Sequence, residues 1–295
     1  MINFRAIELS DREWIEAILK KANLMGCEYT FVNNYIWGTQ YQLEIANVNG
    51  FYCTRSGMEE VIYGFPIGEG NLAEVIRLLE EDAKERNVPF VMKGMLAEHV
   101  TLLDLICPGE FEITTSRDDS DYIYSVEKLS KLSGKKLHGK RNHIARFKDN
   151  EDWQYEKLTE ENMKDCLEMN RKWCENNNCL DNISLKHEAC AVKKAFRHFK
   201  ALNLVGGLLR LNGEVVAYTI GEPLSDNTFV IHIEKAFSEI QGAYPMINQQ
   251  FVLHECQDYE YVNREEDLGE EGLRKAKLSY YPEILLDKYK ATKRG

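Results

Sequence analysis

The sequence predicts an α+β protein of two similar lobes, each a mixed, twisted sheet flanked by helices. Three observations carry this. The chain has 295 residues, which is long for one core and suits two lobes of about 150 residues each. Two tight-hairpin signals, Asn49-Gly50 and Asn212-Gly213, demand antiparallel pairing. After each hairpin the pattern continues as strand, helix, strand, helix, an order that also allows parallel pairing. The expected lobes are residues 1–125 and 126–295, the second opening with a basic linker helix.

Ser10 and Glu13 have the spacing of a capping box ahead of Trp14, Ile15, Ile18 and Leu19, which recur at helical spacing. Residues 41–46 and 51–54 read as strands around Asn49-Gly50, and 61–65 as a third. Asn71 then precedes Leu72, Val75, Ile76, Leu79 and Ala83, the apolar face of an amphipathic helix. A short buried strand at 88–92 and a helix at 97–106 follow. In the second half, two polar-faced helices at 159–176 and 184–201 come first. Strands at 204–211 and 215–221 flank Asn212-Gly213, with a third at 228–233. A helix at 244–254, a strand at 259–263, a helix at 270–279 and a last strand at 284–290 complete the repeat.

Composition narrows the function. Hydrophobic residues make up 44% and aromatics 11%, enough for packed cores and against wholesale disorder. No apolar run nears the roughly 18 residues that cross a bilayer, and residues 1–11 lack the segments of a secretory signal. The expectation is a soluble, cytoplasmic protein without a membrane span. The eight cysteines are scattered and contain no C-x-x-C, and Cys174 with Cys179 lacks a second ligand pair at zinc spacing. Reduced thiols and no metal are expected. The common phosphate-loop, dinucleotide, zinc-protease and serine-hydrolase motifs are absent.

The net charge of −11 argues against indiscriminate coating of nucleic acid. Yet Lys128 to Lys148 carries eight Lys/Arg and no carboxylate, leaving −19 for the rest of the chain. If 134–148 is helical, Leu137 and Ile144 share a face and Arg141 follows Leu137 at i+4. A guanidinium on a packing face needs a carboxylate or a bound anion. Lys136, Lys140, Arg141 and Asn142 are therefore candidates for an anion cradle, against the plainer reading of a solvated helix with a structural ion pair. Farther on, strand alternation puts His232 and Glu234 on one face, as substrate-binding or base groups or as an edge-strand ion pair. Asn263 ends the next strand and Glu265 lies just beyond its carboxyl end, a favoured ligand position. Lys277 and Tyr280 are neighbours on one helix face, Tyr280 as proton donor or as aromatic anchor.

Residues 132–147 (LSGKKLHGKRNHIARF), 263–269 (NREEDLG) and 272–282 (GLRKAKLSYYP) together resemble a bacterial family related to the C-terminal catalytic domain of phosphatidylglycerol lysyltransferase. The element order is likewise similar to the GNAT acyltransferase fold used twice. The resemblance implies a tandem GNAT-like fold and kinship with enzymes that move an aminoacyl group from aminoacyl-tRNA, including Fem-type ligases. Arg141-Asn142 and Lys277 match positions of the relative's pattern. Glu234 fits its acidic strand position, while Phe237 stands where that pattern has Arg. Residues 241–245 do not supply the R/Q-x-x-G-x-G/A loop of coenzyme-A-binding GNAT enzymes, and no flippase part implies a lipid acceptor.

The expected function is thus acyl or aminoacyl transfer by direct attack of an amine or hydroxyl, on a small molecule or peptide, on an activated carbonyl. The donor is aminoacyl-tRNA, bound by its acceptor end, or acyl-CoA as co-substrate, with no resident cofactor. Glu234 would hold an ammonium or act as base, Lys277 would stabilise negative charge and Tyr280 would protonate the leaving group. A non-catalytic tRNA- or nucleotide-binding module and a coenzyme-A-dependent N-acetyltransferase are the alternatives.

Overall fold

In a computed structural model, residues 2–57, 60–179 and 181–295 are described. The strands are β1 (Arg5–Ala6), β2 (Glu44–Val48), β3 (Phe51–Ser56), β4 (Ile62–Gly64), β5 (Val91–Met95), β6 (Phe111–Thr115), β7 (Asp121–Ser125), β8 (Trp153–Lys157), β9 (Val205–Leu211), β10 (Glu214–Pro223), β11 (Thr228–Ala236), β12 (Tyr261–Asn263), β13 (Ile284–Leu286) and β14 (Tyr289–Lys293). The α-helices are α1 (Arg12–Ala22), α2 (Phe31–Trp37), α3 (Leu72–Glu85), α4 (Ala97–Ile106), α5 (Val126–Lys131), α6 (His138–Lys148), α7 (Met163–Asn176), α8 (Ile183–Arg197), α9 (Ala243–Glu255) and α10 (Glu271–Leu278). None of the described helices is long and apolar enough to cross a membrane.

Two seven-stranded sheets result, ordered β1-β2-β3-β4-β5-β14-β6 and β13-β7-β12-β11-β10-β9-β8. Each contains the expected run of hairpin, strand, helix, strand, helix. Asn49 and Gly50 both take positive φ, as do Asn212 and Gly213, the geometry that closes β2–β3 and β9–β10 as two-residue hairpins. In the first sheet β4 and β5 pair in parallel across the α3 crossover, and in the second β11 and β12 do so across α9. Asn71 caps α3 by accepting the Glu74 N–H at 3.2 Å.

Several boundaries differ from the sequence reading. Ser10 does not cap α1: it lies inside a 3₁₀ turn, Leu9–Asp11, and the reciprocal capping bonds join Glu8 and Asp11. The strand expected at 88–92 lies three residues later. The strand expected at 284–290 is two strands, and the second, β14, pairs β5 and β6. One compact unit comprises Met1–Asp121, Glu266–Glu271 and Leu285–Gly295, the other Tyr122–Glu265 and Gly272–Ile284. Residues 266–271 and 285–295, expected in the second lobe, therefore fold with the first, and residues 122–125, expected in the first, fold with the second.

The core of the second unit positions the candidate site. Phe229 and Ile231 of β11, Tyr124 of β7, Met246, Ile247 and Phe251 of α9, Ile144 and Phe147 of α6, and Leu137 at its N-cap form one buried cluster. The last three are spaced seven and three apart, so one stripe of α6 is held down and its register is fixed. Lys140, three residues after Leu137 and four before Ile144, belongs to that stripe.

Candidate functional site

Within the second unit, charged residues from β11, α6 and the segment after β12 meet. Glu234 Oε1 accepts from Arg264 Nη2 at 2.7 Å, and both side chains are about nine-tenths buried. Glu234 Oε2 accepts from Asn248 of α9 at 3.0 Å. Tyr280 forms a floor: its ring centre lies 4.9 Å from the Arg264 guanidinium and 4.0 Å from the Lys140 ammonium. Burial, and then the charge of Arg264, lowers the Lys140 pKa to about 8, with Glu234 pulling the other way. Burial raises the Tyr280 hydroxyl above its ordinary value, and Tyr124, edge-on to Tyr280 at 6.2 Å, is raised for the same reason.

The cluster is cation-rich. One carboxylate faces one guanidinium and one ammonium, and the buried Nη1 of Arg264 has no hydrogen-bond partner among the described residues. A buried donor left unmade costs about 1–3 kcal/mol, more when charged. The arrangement suits an anionic or carbonyl oxygen that accepts from Arg264 and Lys140. Lys140, whose pKa of about 8 leaves a minor fraction neutral near pH 7, is also able to take a proton from an attacking amine.

The other sequence candidates fall in three places. Lys277 is inward, but its ammonium donates to the carbonyls of Arg264 at 2.6 Å and Glu265 at 3.1 Å. It braces the turn after β12. His232 does not share Glu234's partners. The register slips opposite it, with Ile220 paired to Ile233 and Gly221 to Ile231, and this bulge breaks the alternation that would put both side chains on one face. His232 instead meets Glu265 at 2.8 Å and Glu222 at 3.0 Å. Asn263 Oδ1 accepts the Glu265 N–H at 2.7 Å.

Of the four cradle candidates, Lys140 alone joins the cluster. Arg141 donates through Nη1 to the carbonyl of Leu132 and, at 2.8 Å, to that of Gly134, so it closes the loop before α6. Lys136 lies 5.1 Å over the Tyr281 ring, and Asn142 is exposed beside His138 at 3.2 Å. Arg264 is the residue that sequence reasoning did not assign. Its signal was its place, one residue beyond a short strand parallel to β11.

A second ionic cluster occupies the first unit. Lys288 donates to Asp121 at 2.6 Å, to Glu28 at 2.7 Å and to Cys27 Sγ at 3.3 Å, with Glu266 at 3.7 Å. Cys27, Glu28 and Asp121 offer ligand atoms within 4.8 Å of one another. The Lys288 ammonium already stands among them as the counter-charge. Burial, then repulsion from Asp121 and Glu266, raises Glu28 to about 7 against the pull of Lys288.

Two mixed sheets flanked by helices, each with a parallel pair beside a hairpin, constitute a tandem GNAT-like, acyltransferase-like fold. The chain belongs to the family of the phosphatidylglycerol lysyltransferase C-terminal domain, whose model matches residues 20–292. A conserved protein of unknown function from Bacteroides thetaiotaomicron is 40% identical, covers all of both chains and superposes with a TM-score of 0.94. L-PGS from Bacillus licheniformis is 14% identical over 97% of this chain and 93% of its own, with a TM-score of 0.67. FemX is 9% identical over 98% of this chain and 97% of its own, with a TM-score of 0.61. An uncharacterized protein of Mycoplasmoides gallisepticum is 26% identical over 182 residues, 58% of this chain and 55% of that protein. The chain thus spans about half the length of that curated relative.

Proposed function

We propose that the protein is an aminoacyltransferase that moves an activated aminoacyl group from aminoacyl-tRNA to an amine or hydroxyl acceptor. One observation carries the reading: Arg264 pairs with a single carboxylate, Glu234, through Nη2 and keeps a buried Nη1 without a hydrogen-bond partner among the described residues, while Lys140 shares its aromatic floor in the second unit. Direct transfer needs a held donor, a proton acceptor and charge stabilisation at the carbonyl oxygen. Arg264 supplies the fixed positive charge. Glu234 orients it and carries the charge that an aminoacyl ammonium seeks. Lys140, with its pKa near 8, takes the proton released as the attacking group bonds to the aminoacyl carbonyl and returns it to the tRNA ribose oxygen as the ester bond breaks. Tyr280 serves as the aromatic floor on which the cations rest, and Lys277 as a brace, in place of the proton-donor and oxyanion roles expected of them.

The helix start that follows β11 supports aminoacyl-tRNA over coenzyme A. At Gly242, the N-cap of α9, an added Cβ would lie 2.1 Å from the His143 carbonyl. Helix α6 therefore covers the α9 N-terminus, where a pyrophosphate would otherwise find backbone donors. The test is to incubate the purified protein with labelled aminoacyl-tRNA, and separately with acetyl-CoA, across amine and hydroxyl acceptors. Acceptor-dependent deacylation of the tRNA is expected, with acetyl-CoA untouched. Binding of tRNA without turnover on any acceptor would instead identify a non-catalytic module, and acetyl transfer would identify an N-acetyltransferase.

A further inference from the structure

We propose that His232 is a positioning residue: clamped as an imidazolium between Glu222 and Glu265, it holds the turn that aims Arg264 at Glu234. This rests on the reading of the Glu234–Arg264–Lys140 cluster as the transfer site.

The protonation state follows from geometry. Both ring nitrogens face carboxylate oxygens, Nδ1 that of Glu265 at 2.8 Å and Nε2 that of Glu222 at 3.0 Å. A neutral imidazole donates from one nitrogen only and would turn a lone pair toward the other carboxylate. The imidazole is 1% exposed, so water cannot take over either bond. Burial opposes the charge, but the hydrogen bonds to Glu222 and Glu265 together outweigh it and raise the pKa to about 9. These two carboxylates, one on β10 and one just beyond β12, are the charged groups that face the ring.

What the clamp holds is an unusual turn. Glu265 has φ +58°, a left-handed conformation uncommon outside glycine. Its N–H donates to Asn263 Oδ1, and the carbonyls of Arg264 and Glu265 accept from Lys277. His232 secures the side chain of the same residue. Arg264, immediately before it, is thereby turned toward Glu234 at 2.7 Å. Such strained backbone persists where its surroundings over-determine it, which three separate tethers do here. Loss of the imidazolium removes the side-chain tether and lets the guanidinium swing from its station. Burial lowers the Lys140 pKa most and the charge of Arg264 adds to it, so Lys140 reports the movement through that second contribution.

The experiment is an NMR titration of the full chain labelled with ¹³C at histidine Cε1 and lysine Cε, with Lys140 assigned by K140R. In the wild type, His232 is expected to titrate near 9, and Lys140 near 8. In H232Q the Lys140 midpoint should rise by about half a unit or more, a roughly threefold change in proton affinity. E265Q should lower the His232 midpoint and raise that of Lys140 in the same direction, and it serves if H232Q does not fold. A His232 midpoint at or below its ordinary value, or an unmoved Lys140 in either folded variant, overturns the proposal. Neither readout uses a donor or an acceptor, so failure of the transferase reading would appear separately, as absent deacylation beside an intact coupling.

Discussion

The ammonium of Lys140 lies 4.0 Å from the centre of the Tyr280 ring, on the stripe of α6 that packs into the core. A lysine there gives up hydration and recovers part of the loss from the ring face. That same ring lies 4.9 Å from the Arg264 guanidinium, so two cations share one aromatic floor with Glu234 as counter-charge.

Lys140 has its pKa depressed in the folded state, so the unfolded chain binds the extra proton between about pH 8 and the ordinary lysine value. Its charge is therefore a destabilising feature at pH 7 that fades as pH rises through 8. K140M should raise stability at pH 7 by about 1 kcal/mol after allowance for solvent screening, and by less at pH 10. Urea unfolding at the two pH values measures the difference. Transfer activity in K140M should be lost while stability rises, the opposite of a packing defect.

The Glu234–Arg264 pair is buried, and removing one partner strands the other. R264A should cost about 3 kcal/mol in urea unfolding. E234Q should cost less, because the amide oxygen still accepts from Arg264.

His232 runs with the opposite sign to Lys140. Its folded pKa is raised to about 9, so its contribution is complete below the unfolded value and is lost as pH climbs through 9. The His232 contribution should fall by about 2–3 kcal/mol between pH 6 and pH 10, and the difference between wild type and H232Q should shrink accordingly.

In the first unit, Glu28 is raised to about 7 beside Asp121 and Glu266. A carboxyl raised on folding destabilises progressively as pH rises from its unfolded value to 7. E28Q should be the more stable form above pH 7, by about 1 kcal/mol given the part-exposed side chain, and should match the wild type near pH 4. Differential unfolding at pH 5 and pH 8 distinguishes these outcomes.

The sequence revealed those elements whose signals are local. Asn49-Gly50, Asn212-Gly213 and the Asn71 cap depend on residues a few positions apart, and the helix Ala97–Ile106 has the expected bounds. Sheet membership is not local, which is why β14 was read as part of a single strand running on from β13 although it pairs β5 and β6. The candidate site divides in the same way. Glu234 is legible as a polar strand residue and Lys140 as one cation of the basic segment. Arg141 is the cation at helical spacing from Leu137, yet its guanidinium is used up on loop carbonyls. His232 misled because one bulge residue breaks the strand's alternation. Lys288 and Cys27 were invisible as a pair, being 261 positions apart.

The most direct measurement of the central claim is equilibrium binding of aminoacyl-tRNA against uncharged tRNA to the wild type and to R264K, a variant that keeps the charge while losing the fork. The wild type should prefer the charged tRNA, and R264K should lose that preference by about tenfold, in line with one lost charge-assisted hydrogen bond. Equal affinity of the wild type for both tRNAs, or an undiminished preference in R264K, would contradict it.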